Sequence, residues 1–270
     1  MDLLTHIASG LAISTTIAVC CNASTLKKTA IVAAGALGGA LPDIDAISLW
    51  SKFDGTFGRL FGLQHSGKVI YSEKFWYSHH GFMHSLMACL LFAIILLGVI
   101  FLVKSRTKDF SKGTFIKTAK SSRLIILAFV GGYLAHLLLD MPTPGASWGG
   151  INLFFPFKHY SGGYGKIWWW NNYDIFLIIN LVIVLNLVLL IVKSILKRNF
   201  IKISLGILLF ASALVMVQIS SRKFDFNYGV STGKTYQQCE VKSKEIQQKI
   251  LGKKLYNTMV KLDNAIPLHF

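Results

Sequence analysis

The sequence predicts an all-α fold: a polytopic membrane bundle of about six transmembrane helices followed by a basic, helical C-terminal tail. Three observations carry this. Of the 270 residues, 53% are hydrophobic and only 15% charged, against about 25% charged in soluble domains. The mean hydropathy is +0.52. These two figures exclude a disordered chain or a coiled coil and disfavour a water-soluble enzyme with one buried core, and the charges collect in blocks between long apolar runs. The chain divides into a membrane-embedded unit, 1–219, and an extramembrane tail, 220–270.

A span needs about 20 mostly apolar residues. Leu3–Cys20 opens the series. No Lys or Arg precedes it and His6 interrupts it early, so it reads as a retained helix and not as a signal peptide. Ile31–Leu49 comes second and holds the polar run Pro42-Asp43-Ile44-Asp45. Ser85–Val103 and Ile175–Val192 are strongly apolar, and Leu124–Leu139 and Ile203–Ile219 complete the set. Cys20, Cys21, Cys89 and Cys239 form no CxxC pair, which indicates neither a disulfide framework nor a thiolate zinc site.

The distribution of Lys and Arg sets the orientation. The short connections 23–28, 104–123 and 193–202 carry two, seven and four, including Arg106, Lys108, Lys112, Lys117, Lys120 and Arg123. The alternate connections 51–82 and 142–173 carry four and two over greater length, and the tail carries nine. With six spans the short basic connections share one side, which the positive-inside rule assigns to the cytoplasm. Both termini then lie outside. The basic tail runs against the rule, although long segments translocate despite their charge. The net charge of +16 suits membrane lipids with anionic head groups, and no nucleic-acid partner is expected, because the charges sit between spans and no aromatic stacking motif accompanies them. Trp168-Trp169-Trp170 reads as an interfacial belt, with a lipid-chain groove as the alternative.

Ionisable residues inside spans are functional candidates by default. Here they are His6, Asp43, Asp45, His84, His136 and Asp140. On this topology four helices bring them to one depth on one side, with His79 and His80 leading in. His136 and Asp140 are spaced i,i+4 and share a helix face. Asp43 and Asp45 would diverge by about 200° on a regular helix, but Pro42 makes the stretch irregular. Seven or eight nitrogen and oxygen ligands without thiolate suit Zn²⁺, Mn²⁺ or Fe²⁺, with enough donors for two ions. His65, His159 and His269 lack partners at ligand spacing and read as surface residues.

Thr5-His6, Gly38-Gly39-Ala40-Leu41-Pro42-Asp43-Ile44-Asp45, His79-His80-Gly81-Phe82-Met83-His84-Ser85, and Gly131–Asp140 followed by Met141-Pro142-Thr143-Pro144-Gly145 occur in this order. Over roughly residues 1–160 the chain resembles the YdjM-type family of bacterial inner-membrane, metal-dependent hydrolases. The resemblance implies metal ligands at His6, Asp43, Asp45, His79, His84, His136 and Asp140. The family pattern HRGxTHS departs here at two places, with His80 for Arg and Met83 for Thr. In ligand style the family is distantly similar to zinc-dependent phospholipase C.

The expected function is a metal-dependent hydrolase of lipid or lipid-linked phosphoesters at the outer face of the inner membrane. A metal-activated water would be the nucleophile, Asp43 or Asp45 the base, and Arg59, Lys68 and Lys158 head-group contacts. An amide or ester hydrolase is the enzymatic rival. A metal transporter or sensor is the non-enzymatic one; transport calls for polar groups at the midplane or on both sides, and Asn180 and Asn186 are nearly all that spans three and five offer.

Overall fold

The computed structural model describes residues 1–105 and 111–265; Arg106, Lys108 and His269 lie outside the described residues. The helices are α1 (Leu3–Cys20), α2 (Thr25–Ala40), α3 (Gly67–Ser72), α4 (Leu86–Lys104), α5 (Lys112–Asp140), α6 (Tyr173–Leu196), α7 (Ile201–Ser220) and α8 (Tyr236–Ala265). Two 3-10 segments, Leu41–Leu49 and Phe82–His84, follow α2 and precede α4. Among the described residues there are no strands, only isolated bridges such as Ile151 with Ser161. Among the described residues six helices are long and apolar enough to cross a membrane: α1, α2 with its 3-10 extension, α4, α5, α6 and α7.

Local chemistry fixes the boundaries. Asp2, Ser24, Ser85 and Ser111 cap α1, α2, α4 and α5 through side-chain oxygens. The Ser24 cap starts α2 at Thr25, ahead of the apolar run that marks it in the sequence. Pro42 has no amide hydrogen, so the α-helical ladder of α2 stops at Ala40 and the chain tightens into the 3-10 helix. α5 is far longer than its apolar core. Its 29 residues extend about 43 Å at 1.5 Å each, beyond the ~30 Å hydrocarbon layer. Much of what reads as a basic connection over 104–123 is therefore the first turns of α5, a helix longer than the hydrocarbon layer is thick.

α1, α2 and α5 meet backbone to backbone. A Cβ on Gly10 would strike the Gly35 carbonyl, one on Gly38 the Phe129 carbonyl, one on Gly39 the His6 carbonyl, and one on Gly132 the Gly35 carbonyl. Small residues that let helices close up are a standard means of association in a bilayer, where apolar burial gives little driving force. α6 and α7 join α1 through a buried polar clip: Asn186 donates to Thr16 Oγ1 at 2.9 Å and accepts from Ser204 at 2.6 Å. At one end of the bundle, Lys193 donates to the carbonyls of Val19 and Cys21 at 2.6 and 3.1 Å, capping α1.

The segment after α7 crosses the other end. Arg222 holds Asp174 at 2.7 and 2.8 Å and Asn172 at 2.7 Å, while Gln247 of α8 donates to Asp174 at 2.8 Å. Trp168 is fully buried against Phe226 and Cys239, so it belongs to a packed core and not to an interfacial belt. α8 is broken at Gly252, where φ is 71° and ψ is 157°.

Candidate metal centre

Two helix ends, one 3-10 segment and one turn deliver the cluster. His6 comes from the first turns of α1, Asp43 and Asp45 from the 3-10 segment after α2, His84 from the turn before α4, and His136 and Asp140 from the last turns of α5. All of these lie at the end opposite the Lys193 cap. Ser85 sets the turn: its hydroxyl donates to Phe82 O at 2.6 Å and accepts from Ala88 N at 3.1 Å. Tyr133, fully buried, donates to the Met83 carbonyl from α5. Thr143 donates to Asp140 O at 2.7 Å and closes α5.

The donors converge. Asp140 lies 3.1 Å from His6 Nε2 and 3.0 Å from His136 Nε2, and 3.5 Å from His84 Nε2. Asp43 lies 3.6 Å from His84 Nε2 and 3.5 Å from His136 Nε2. The Nε2 atoms of His84 and His136 are 3.2 Å apart. His136 Nδ1 is 2.7 Å from Gly39 O. A carbonyl only accepts, so Nδ1 carries the hydrogen and Nε2 presents its lone pair to the cluster.

The second carboxylate faces elsewhere. Asp45 accepts from His79 Nδ1 at 2.7 Å and makes an ion-pair contact with His84 Nδ1 at 3.4 Å. His84 thus stands between the two aspartates, Asp43 on its Nε2 side and Asp45 on its Nδ1 side. His79, His80 and His84 form a second donor group, sharing His84 with the first. His84 is fully buried between the two carboxylates. Burial, reinforced by His79 and His84, holds His80 well below the ordinary imidazole range.

All seven sequence-predicted site residues are therefore brought together. His65 and His159 stay exposed, away from them. The N-terminal amine of Met1, 2.6 Å from Asp140 Oδ1, gave no signal in the sequence. Neither did the strap 150–153: Asn152 N donates to His80 O at 2.9 Å, and His80 Nδ1 lies 3.1 Å from Gly150 O. This strap holds His80 at φ 64°.

A cavity of about 660 Å³ adjoins the cluster. Asp43, His79, His80 and Asp140 form its polar floor, and Asp45 is not part of it. Leu3, Ala46 and Leu49 form an aliphatic side; Tyr71, Trp148, Trp169, Trp170, Tyr228 and Tyr236 an aromatic one. Tyr71 is half-buried; desolvation first, then the nearby Asp43 and Asp45, raise its phenol pKa. Arg59, Lys68 and Lys158 are exposed and take no part in the lining, so the expected head-group cations are not there.

The donor set fits a divalent metal. Buried His6 Nε2, His84 Nδ1, Asp45 Oδ2 and Asp140 Oδ2 have no hydrogen-bond partner, a state that normally costs about 1–3 kcal/mol per group. Nitrogen and carboxylate donors without thiolate are the ligands such an ion takes.

Residues 1–224 match the model of a family described as YdjM inner membrane protein. The match runs past the stretch of residues 1–160 whose motifs carry the resemblance and takes in α6 and α7. No curated protein and no solved structure matches the chain.

Proposed function

The chain belongs to the YdjM inner membrane protein family, and we propose that it is a metal-dependent hydrolase of lipid or lipid-linked phosphoesters, with its site at the outer face of the membrane. One observation carries the reading: a buried His and Asp cluster, several of whose donor atoms lack a hydrogen-bond partner, adjoins through Asp43, His79, His80 and Asp140 a cavity whose one side is aliphatic. Next to that side, Ile47 on the same 3-10 segment and Trp50 just after it are exposed, which gives a lipid chain a lateral approach.

His6, Asp43, His84, His136 and Asp140 would hold one ion, and His79 and His80 stand beside it as the donors open to a second. A bound divalent ion, Zn²⁺ first and Mn²⁺ or Fe²⁺ next, supplies Lewis-acid charge and lowers the pKa of a coordinated water. Asp43 faces the cavity and would be the carboxylate to accept a proton there. Asp45 does not reach the cavity; it orients His79 and His84 through their Nδ1 atoms, the carboxylate–histidine arrangement that fixes tautomer and ring angle. The catalytic role expected of either aspartate thus falls to Asp43, with Asp45 a positioning residue. The aromatic side excludes water from the substrate.

The outward orientation is supported by the bundle ends. The basic connections lie opposite the site, and in the tail Arg222, Lys234, Lys242 and Lys244 are paired with Asp174, Asp225, Glu245 and Glu240. This pairing lightens the charge that the positive-inside rule counts against an external tail. A transporter reading is disfavoured by the glycine seam beneath the site and by Asn186, whose partners are both within the bundle.

The test is metal analysis of purified protein together with product release from lipids, nucleotides and esters. Asp43→Asn should lose at least about 10²-fold in turnover while the protein stays folded. Tight metal binding with no product from any substrate class would overturn the hydrolase reading in favour of a sensor or transporter.

A further inference from the structure

The aromatic side of the cavity is one continuous wall. Tyr71 stacks on His79 with ring centroids 4.5 Å apart, and Trp148 meets Tyr71 edge-on at 5.5 Å. Trp169 meets Trp148 at 6.4 Å and Tyr228 at 5.7 Å. The wall therefore runs from a histidine of the metal centre to the C-terminal tail. Tyr228 and Tyr236 lie beyond residue 224, where the family match ends, so the tail supplies part of the wall.

Its electrostatic character is unusual for a site that handles phosphate. Among the described residues no Lys or Arg lines the cavity. The Met1 amine is held by Asp140 at 2.6 Å. The acidic groups present are Asp43 and Asp140. A second anionic group on the substrate would find no cation here beyond those of the metal centre. Ring faces carry negative charge density, and the group they bind best is a cation, ammonium or quaternary ammonium above all. A choline or ethanolamine head group is short enough to put its phosphate on the polar floor and its ammonium against Tyr71, Trp148 and Trp169.

We propose that the aromatic wall is a subsite for an alkylammonium group, so that the preferred substrate is a zwitterionic phospholipid. As a statement about substrate this rests on the hydrolase reading; as a statement about binding it stands apart from it. The experiment is calorimetric titration of the full-length, Zn²⁺-loaded protein in detergent with glycerophosphocholine, glycerophosphoethanolamine and glycerophosphoglycerol.

The two ammonium probes should bind about tenfold more tightly than the glycerol one. Trp169→Ala should shrink that gap to within about twofold, with metal content unchanged. Trp148→Phe, which keeps a ring at a buried position, should narrow it less. Trp76→Ala, exposed and outside the cavity, should leave it intact. Equal affinity for all probes in the wild type, or a gap that survives both cavity variants, overturns the subsite. Selective binding without hydrolysis of any lipid would sink the enzyme and keep the subsite; hydrolysis without head-group preference would do the reverse.

Discussion

Gly39→Ala probes the link between helix packing and the metal centre. Gly39 sits on α2 where it passes His6 of α1, and its own carbonyl accepts from His136 of α5. A Cβ here would lie 3.0 Å from the His6 carbonyl carbon, 3.4 Å from Gly10 N, and closer still to the His6 carbonyl oxygen. Carbon atoms in good contact are about 3.5–4.0 Å apart. The obstacles are backbone, which cannot rotate away, so α1 and α2 must part by roughly 0.5–1 Å. Metal–ligand distances tolerate only about ±0.2 Å. The separation therefore breaks the alignment of His6 with Asp43 and Asp140, and overpacking adds about 1–3 kcal/mol of destabilisation. We expect metal affinity to fall at least about tenfold, with a lower Tm. Gly98→Ala in α4 is the control: nothing lies within 4 Å of its Cβ, and the exchange should be neutral or gain up to about 1 kcal/mol. The readouts are bound metal per chain and thermal unfolding in detergent. Wild-type metal content and Tm in Gly39→Ala would show that the glycine seam does not position the site.

The remaining expectations concern ligands, topology and the tail. His136→Ala and Asp140→Ala should each lower bound metal and Tm, whereas His159→Ala should change neither; chelation of the wild type should lower Tm as well, since ligand binding at 100 times Kd stabilises by about 2.7 kcal/mol. Ser66→Cys, Ser161→Cys and Ser231→Cys should react with an impermeant thiol reagent in intact cells, and labelling only after permeabilisation would put the site on the cytoplasmic side. Arg222→Ala leaves Asp174 buried without its partner and should cost about 3–5 kcal/mol, read as easier proteolysis of the tail; an unchanged digestion pattern would mean that the Asp174 network does not anchor α8.

What the sequence discloses follows from how local each cause is. Span positions follow from apolar runs, and the seven ligand candidates from the cost of placing His and Asp in a membrane, so these could be read directly. The length of α5 could not, because Lys and Arg are good helix formers and a basic stretch looks alike as loop or as protruding helix. The different tasks of Asp43 and Asp45 depend on where a 3-10 helix sets them around His84, which no spacing rule gives. Trp168 passes for an interfacial residue until Phe226 and Cys239, more than fifty positions away, are seen against it. Tyr71, Trp148 and Tyr228 come from three separate segments, and nothing within any one of them marks a cavity wall.

The geometry of the histidines gives one further reason to expect a cation. The glycine seam brings α1 against α2, and α2 against α5, so closely that the His6 and His136 rings stack with centroids 3.6 Å apart. The Gly39 carbonyl fixes the hydrogen of His136 on Nδ1, which leaves its Nε2 lone pair facing His84 Nε2 at 3.2 Å. Two imidazole nitrogens at that distance attract only through a proton or a positive ion between them. A shared proton would satisfy that one pair and still leave Asp140 Oδ2 and His6 Nε2 buried without a partner. A single divalent ion among His6, His84, His136, Asp43 and Asp140 would satisfy the Nε2 pair and both of these atoms together. The packing of the helices and the chemistry of the site therefore call for the same ligand.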